Sequence, residues 1–251
     1  MTAASFDRAR GWIAEANLIV AFSGAGLSTE SGIPTFRDAQ TGGFWEKYDP
    51  VALASPQGFA ADRRLVIEWY AYRTRLIAAA QPNPAHRALA TYEAAHPGGL
   101  ANVTQNIDGL LQRAGGSTVH ELHGTLFRDR CHAPHCSHTA EAKIYEEGAE
   151  VPLVDCPQCG NWMRPDVVWF GEMLPSDVWW EAEQACLRCE VLLCIGTSGS
   201  VYPAAGLVQL AKWTGSRVIQ VNPNPSELDD LSDATFLAPA GEAVPQLLRA
   251  D

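Results

Sequence analysis

The chain has 251 residues, 47% of them apolar and 19% charged, with a formal net charge of −11. That length and composition suit one large core, and the acidic balance argues against nonspecific nucleic-acid binding, which needs a basic surface. No segment approaches the roughly twenty uninterrupted apolar residues of a membrane span, and the first eleven residues lack the marks of a signal or transit peptide, so a cytoplasmic protein with no membrane partner is expected.

The first strong signal is the apolar run Leu18 to Phe22, which leads into the glycine-rich stretch Gly24 to Asp38. A buried strand entering such a loop is how α/β proteins hold a dinucleotide. The loop departs from G-x-G-x-x-G, with Thr29 in place of the third glycine and then Gly32-Ile33-Pro34, which break helices. A long loop is predicted, with Phe36 and Arg37 folding over a ligand.

Residues 62–80 read as a helix whose core stripe is Leu65, Trp69, Tyr72 and Leu76, with Tyr70 and Arg73 on the adjoining face. A strand over Asn102 to Gln105 leads into Asn106-Ile107-Asp108-Gly109, and a strand through Val119-His120-Glu121-Leu122-His123 places Glu121 and His123 on one face. Next come Cys131 and Cys136, then Cys156 and Cys159, two pairs about twenty residues apart, the pattern of a four-thiolate structural zinc site. His132, His135 and His138 lie near enough in sequence to compete as ligands; the four cysteines are the expected set.

Residues 175–190 predict a helix with Trp179, Ala182, Cys186 and Cys189 on one apolar stripe, the thiols being core residues. Strands Val191 to Ile195 and Val218 to Val221 run into Gly196-Thr197-Ser198-Gly199-Ser200 and Asn222-Pro223. Short continuous apolar strands separated by helical stretches predict an α/β fold: a Rossmann-like parallel sheet with helices on both faces, its polar strand ends converging on one crevice. A zinc held by four thiolates has no open position, so it would stabilise a smaller module and activate no water.

In this order, Gly24-Ala25-Gly26, Gly32-Ile33-Pro34-Thr35-Phe36-Arg37, Thr104-Gln105-Asn106-Ile107-Asp108-Gly109, His123-Gly124, Val168-Trp169-Phe170-Gly171-Glu172, Gly196-Thr197-Ser198 and Val221-Asn222 closely resemble the motifs of the sirtuins, NAD-dependent protein deacylases. The resemblance covers nearly the whole chain. It implies NAD as co-substrate and acyl-lysine proteins or peptides as partners, and a monomer is expected. By the same resemblance the nicotinamide would be released and the acyl group would leave as O-acyl-ADP-ribose. His123 would be the general base, with Asn106 and Asp108 also catalytic and orienting the nicotinamide and ribose.

The resemblance further implies cofactor contacts from Gly24, Ala25, Gly26, Ser28, Phe36, Arg37, Gln105, Ile107, Gly196, Thr197, Ser198, Asn222 and Ala240, the amides of Gly24 to Gly26 meeting the pyrophosphate. Val168 to Glu172 would pair with the peptide backbone as an added strand. Tyr70 and Arg73 match the Tyr-x-x-Arg pair of class III sirtuins, whose acyl groups carry a terminal carboxylate, and Ala54 matches a small residue that widens the acyl pocket. Removal of succinyl and malonyl groups, with acetyl as a second substrate, is therefore expected. Protein ADP-ribosyl transfer and noncatalytic NAD sensing are the alternatives. The expected organisation is an NAD-binding domain of residues 1–37, 86–125 and 167–251 and a smaller one of residues 38–85 and 126–166.

Overall fold

The computed structural model describes residues 3–34 and 48–249. Phe36 and Arg37, expected near the ligand, lie outside the described residues, as does Asp38. In chain order the elements are α1 (Ala3–Glu15), β1 (Ile19–Ser23), α2 (Pro50–Leu53), α3 (Pro56–Ala61), α4 (Arg63–Ala79), α5 (Pro84–Ala95), β2 (Leu100–Thr104), α6 (Leu110–Arg113), β3 (Val119–Glu121), β4 (Gly124–Cys131), β5 (Thr139–Glu141), β6 (Met163–Val167), α7 (Ser176–Arg188), β7 (Val191–Ile195), α8 (Gly206–Trp213), β8 (Arg217–Val221), β9 (Ala234–Phe236) and α9 (Ala240–Leu248).

Six strands form one parallel sheet in the order β3-β2-β1-β7-β8-β9. The order reverses between β1 and β7, and open parallel sheets bind ligands beyond the carboxyl ends of their strands at such a switch. Ser23 is level with both Thr104 of β2 and Ile195 of β7, so the three central strands end together.

Alternation along the strands divides two apolar layers, as the period of two requires. Ile19, Ala21, Leu193, Ile195, Ile219 and Val221 pack with residues of α1, α5 and α9. Val20, Phe22, Leu192, Cys194 and Val218 pack with residues of α7 and α8. Cys186, Cys189 and Cys194 are core residues in this second layer, as expected, and burial raises the pKa of all three thiols. Among the described residues no helix is long and apolar enough to cross a membrane.

The two excursions from the sheet share a separate core. Leu53, Ala54, Phe59, Val66, Trp69, Tyr70 and Ile77 from the helical excursion meet Leu126, Val167 and Trp169. There β4 pairs with β5 and β6 in a three-stranded antiparallel sheet that carries the cysteines at its far end.

Two expectations need correction. The buried face of α4 is Val66, Trp69, Tyr70, Thr74 and Ile77, and Leu76 is exposed, so the helix is turned by one residue from the stripe predicted. Its partner surface is Leu126, Val167 and Trp169, which accepts the Tyr70 ring and turns that side chain inward. The strand β3 ends at Glu121, and His123 sits in the turn before Gly124 rather than within the strand. Gly124 has φ +75, and a Cβ there would meet the Asp166 carbonyl oxygen at 2.1 Å, so the chain passes directly from the large sheet onto β6 only through a glycine.

Candidate active site

The loop after β1 and the loop after β7 touch. Gly24 donates its N–H to the Ile195 carbonyl at 3.0 Å and Gly26 donates to the Gly196 carbonyl at 2.9 Å. A Cβ on Gly26 would lie 2.6 Å from Gly196 Cα, so these glycines serve backbone contact. Of the three amides expected to meet a pyrophosphate, those of Gly24 and Gly26 are thus engaged within the chain. Only the Ala25 N–H has no chain acceptor among the described residues.

Beyond the glycines, the polar groups of four strand ends form one network. Ser28 Oγ donates to Asp108 Oδ2 at 2.7 Å, while Asn106 Nδ2 donates to the Gly24 carbonyl at 3.0 Å and to Ser28 Oγ at 3.2 Å. The second Asp108 oxygen accepts the Leu110 N–H at 2.9 Å, an Asx turn that leads into the short helix α6. Burial raises the pKa of Asp108, opposed by the bonds from Leu110 and Ser28. On the other side of β1, Gln105 Nε2 donates to Thr197 Oγ1 at 3.0 Å and Asn222 Nδ2 donates to the Thr197 carbonyl at 3.1 Å. The crossing from β2 to β7 and β8 is thus made by side chains the sequence singled out.

His123 joins through its ring. Its Nδ1 lies 2.9 Å from the Gln105 carbonyl oxygen, which can only accept, so Nδ1 carries the proton and Nε2 keeps its lone pair. Burial lowers the pKa of His123, partly offset by the bond to Gln105, and the imidazole is therefore neutral at neutral pH. A neutral ring whose Nε2 meets no chain donor among the described residues is in the state a general base requires.

Three expected contacts stand apart from the network. Ser198 Oγ is engaged with Ser200 Oγ at 2.7 Å, and the Ile107 carbonyl accepts from Leu126 at 3.1 Å. Ala240 opens α9 with its side chain in the apolar core.

His86 was not singled out from the sequence. It is fully buried on α5, with Nε2 3.5 Å from Ser28 Oγ and Nδ1 accepting the Asn83 N–H at 3.3 Å. Burial lowers its pKa to about 4, so it is held neutral beneath the network. The available signal was Asn83-Pro84-Ala85-His86, an N-cap asparagine with proline at N1 and a reciprocating side chain at N3.

The expected peptide-pairing segment is a turn and not an open edge. Val168 N–H donates to the His123 carbonyl, Phe170 N–H to the Ala54 carbonyl, and Trp169 N–H to Glu172 Oε2, each at 2.9 Å. Its amides at 168, 169, 170 and 172 are all committed within the chain, the last to the Trp169 carbonyl at 2.9 Å. Phe170 is half exposed beside them, while Trp169 is buried. Ala54 thus holds the turn through its carbonyl, and its small side chain is buried. Tyr70 and Arg73 lie three residues apart on α4; Tyr70 Oη accepts the Trp169 Nε1–H at 2.9 Å and the Arg73 guanidinium lies over the Trp69 ring, 4.9 Å from its centroid.

At the far end of the small sheet the Sγ atoms of Cys131, Cys136, Cys156 and Cys159 all lie within 4.8 Å of one another. Cys131 and Cys159 are 3.4 Å apart and Cys136 and Cys156 3.7 Å, close to the sulfur spacing of a tetrahedral ZnS4 site with bonds of about 2.3 Å. The four thiols fit one structural zinc ion. His132 instead packs among the rings of Phe59, Trp162 and Trp169.

Residues 24–203 match the model of the Sir2 family. The NAD-dependent protein deacylase 1 of Pseudomonas aeruginosa is 47% identical over 248 residues, spanning 94% of this chain and 95% of that protein. The NAD-dependent protein deacylase of Ralstonia nicotianae is 46% identical over 246 residues, spanning 98% and 97%. Among solved structures, a Sir2 homologue in complex with NAD superposes with a TM-score of 0.88 at 41% identity, over 96% of this chain and 92% of that one. A Sir2 bound to acetylated peptide superposes with a TM-score of 0.83 at 29% identity, over 99% and 98%.

Proposed function

From the premise that the chain belongs to the Sir2 family, we propose that it is an NAD-dependent protein-lysine deacylase that removes succinyl and malonyl groups, and acetyl as well. The observation that carries the reaction class is the neutral His123, with Nε2 unprotonated, at the edge of the network that joins Asn106, Ser28 and Asp108. The acyl preference rests on Tyr70 and Arg73, three residues apart on α4, with the phenol buried and the guanidinium over the Trp69 ring.

NAD, when bound, supplies an electrophilic ribose carbon, nicotinamide as leaving group, and the ADP-ribose that carries the acyl group away. The donor set suits it: neutral amides and hydroxyls at a topological switch, with a glycine-rich first turn. Asn106, whose Nδ2 is bound by Gly24 and Ser28, keeps Oδ1 as an oriented acceptor for the nicotinamide amide. Asp108 orients Ser28 and fixes the turn into α6. His123 Nε2 takes the proton of a ribose hydroxyl. Thr197, Asn222 and the Ala25 N–H line the side that receives the phosphates and adenosine ribose. The outward backbone of the turn 168–172 aligns the acyl-lysine peptide, and the Arg73 guanidinium receives the acyl carboxylate, which an acetyl group lacks.

The division into a nucleotide unit of residues 1–37, 86–125 and 167–251 and a smaller unit of residues 38–85 and 126–166 belongs to this reading. It is supported by the separate apolar clusters of the large sheet and of the helical excursion with the zinc ribbon.

Mass spectrometry of matched succinyl-lysine and acetyl-lysine peptides, with and without NAD, tests the proposal. The expected result is NAD-dependent loss of succinyl with stoichiometric nicotinamide. Loss of acetyl alone overturns the acyl assignment, and a mass gain on the target instead of a loss indicates ADP-ribosyl transfer.

A further inference from the structure

Tyr70 is 3% exposed and Trp169 1%, and the only polar atom of the indole donates to Tyr70 Oη at 2.9 Å. An indole N–H is a donor and never an acceptor, whereas a phenol has one hydrogen and two lone pairs. With a lone pair taken by Trp169, the phenol's hydrogen must go to another group. Burial raises the pKa of Tyr70, so that hydrogen stays in place at every working pH.

The indole is itself fixed from two sides. The Arg164 side chain, fully buried, stacks on the Trp169 ring with its guanidinium carbon 3.7 Å from the centroid. It is bound to Glu172 Oε1 at 2.7 Å, and Glu172 Oε2 accepts the backbone N–H of Trp169 at 2.9 Å. One partly buried ion pair therefore holds both the ring and the main chain of the same tryptophan. That tryptophan lies in the turn proposed to align the peptide, and its hydrogen bond reaches the helix proposed to read the acyl group.

We propose that Trp169 is a positioning residue for acyl selection: by donating to Tyr70 Oη it leaves the phenol a hydrogen-bond donor beside Arg73, and Arg164 with Glu172 hold the indole in that role. This rests on the reading that Tyr70 and Arg73 line the acyl pocket. It adds a second function to the turn 168–172, which then couples peptide alignment to recognition of the acyl terminus.

Trp169→Phe keeps an aromatic ring under Arg164 and removes the N–H; Tyr70→Phe removes the acceptor and leaves the indole. In indole 1H–15N spectra of the labelled full chain, the resonance lost in Trp169→Phe is expected to be the one displaced in Tyr70→Phe. A resonance unmoved by Tyr70→Phe overturns the proposal, whatever the acyl preference proves to be. In kinetics, Trp169→Phe is expected to raise the ratio of the succinyl-lysine KM to the acetyl-lysine KM about three- to tenfold, the scale of one hydrogen bond, since any effect of the turn on peptide alignment is common to both peptides and cancels in the ratio. The same substitution is expected to add nothing in the Tyr70→Phe background. Equal losses on both peptides, or additive losses in the double variant, overturn the positioning role in favour of a structural one. A wild-type enzyme inactive on succinyl peptide overturns the acyl reading, and the indole spectrum alone then decides whether Trp169 fixes Tyr70.

Discussion

Gly26 donates its N–H to the Gly196 carbonyl at 2.9 Å, which lays the loop leaving β1 directly on the loop leaving β7 across the point where the strand order reverses. Gly26→Ala would place a methyl group 2.6 Å from Gly196 Cα, a backbone atom that cannot move alone. The variant is expected to lose about 1–3 kcal/mol of stability, as overpacking does, and to bind NAD more weakly. Gly11→Ala, on α1 with open space around it, is the control and is expected to gain about 0.5–1 kcal/mol. Thermal unfolding and an NAD titration of both variants check this; equal behaviour would show that the close approach is not required.

Ser28→Ala leaves the buried Asp108 carboxylate without its 2.7 Å donor and removes a partner of Asn106. An unsatisfied buried acceptor costs about 1–3 kcal/mol, and the expected consequence is a lower kcat with the peptide KM little changed. A fall confined to peptide KM would mean that Ser28 serves the substrate side instead.

His86 makes stability depend on pH. Its pKa is about 4 in the folded chain against 6.5 in the unfolded one, so below pH 6.5 the unfolded chain binds more protons. Stability is expected to fall as the pH drops from 6.5 toward 4, by about 3 kcal/mol in total at 1.36 kcal/mol per pKa unit. Urea midpoints for the wild type and His86→Gln across that range test it. The slope should flatten in the variant.

The parts of this site differ in how far the sequence reveals them. Ile19 to Ser23 and Val191 to Ile195 are legible because a strand buried on both faces needs an unbroken apolar run. Cys131, Cys136, Cys156 and Cys159 are legible because ligand spacing is local. The contact of Gly26 with Gly196 is hidden, since a glycine used for close approach looks like one used for a ligand. The rotation of α4 is hidden for a related reason: Tyr70 and Tyr72 are equal as residues, and only the surface of Leu126, Val167 and Trp169 decides which faces inward. Arg164 reads as an ordinary charged strand residue, and its burial follows from Glu172 eight positions later and from the ring between them. His86 is hidden because its partner Ser28 lies on another element.

Cys156→Ser is expected to reduce bound zinc from one ion per chain to less than one and to lower the unfolding temperature, because a structural zinc contributes folding energy directly. His132→Ala is expected to keep the full zinc content, since its ring packs against Phe59 and Trp169. Metal analysis of the purified variants separates the two, and zinc loss in His132→Ala would place a histidine among the ligands.

Arg73→Met should cost desuccinylation far more than deacetylation. A charged hydrogen bond to a carboxylate is worth about 1.5–3 kcal/mol, roughly a ten- to hundredfold change in kcat/KM for the succinyl peptide. An acetyl group has nothing for the guanidinium to bind, so its kcat/KM should change by less than about threefold, since methionine preserves much of the stem that packs beside Trp69. The pH profile offers a control on the same assay. His123 has its pKa lowered by burial, and only the neutral ring accepts a proton, so activity should rise with pH on an acid limb centred below 6.5. That limb belongs to His123 and should be the same for both peptides and in Arg73→Met. Equal losses on the two peptides would assign Arg73 to the packing of α4, whereas a selective loss with an unmoved acid limb would place its guanidinium at the acyl terminus and leave the base untouched.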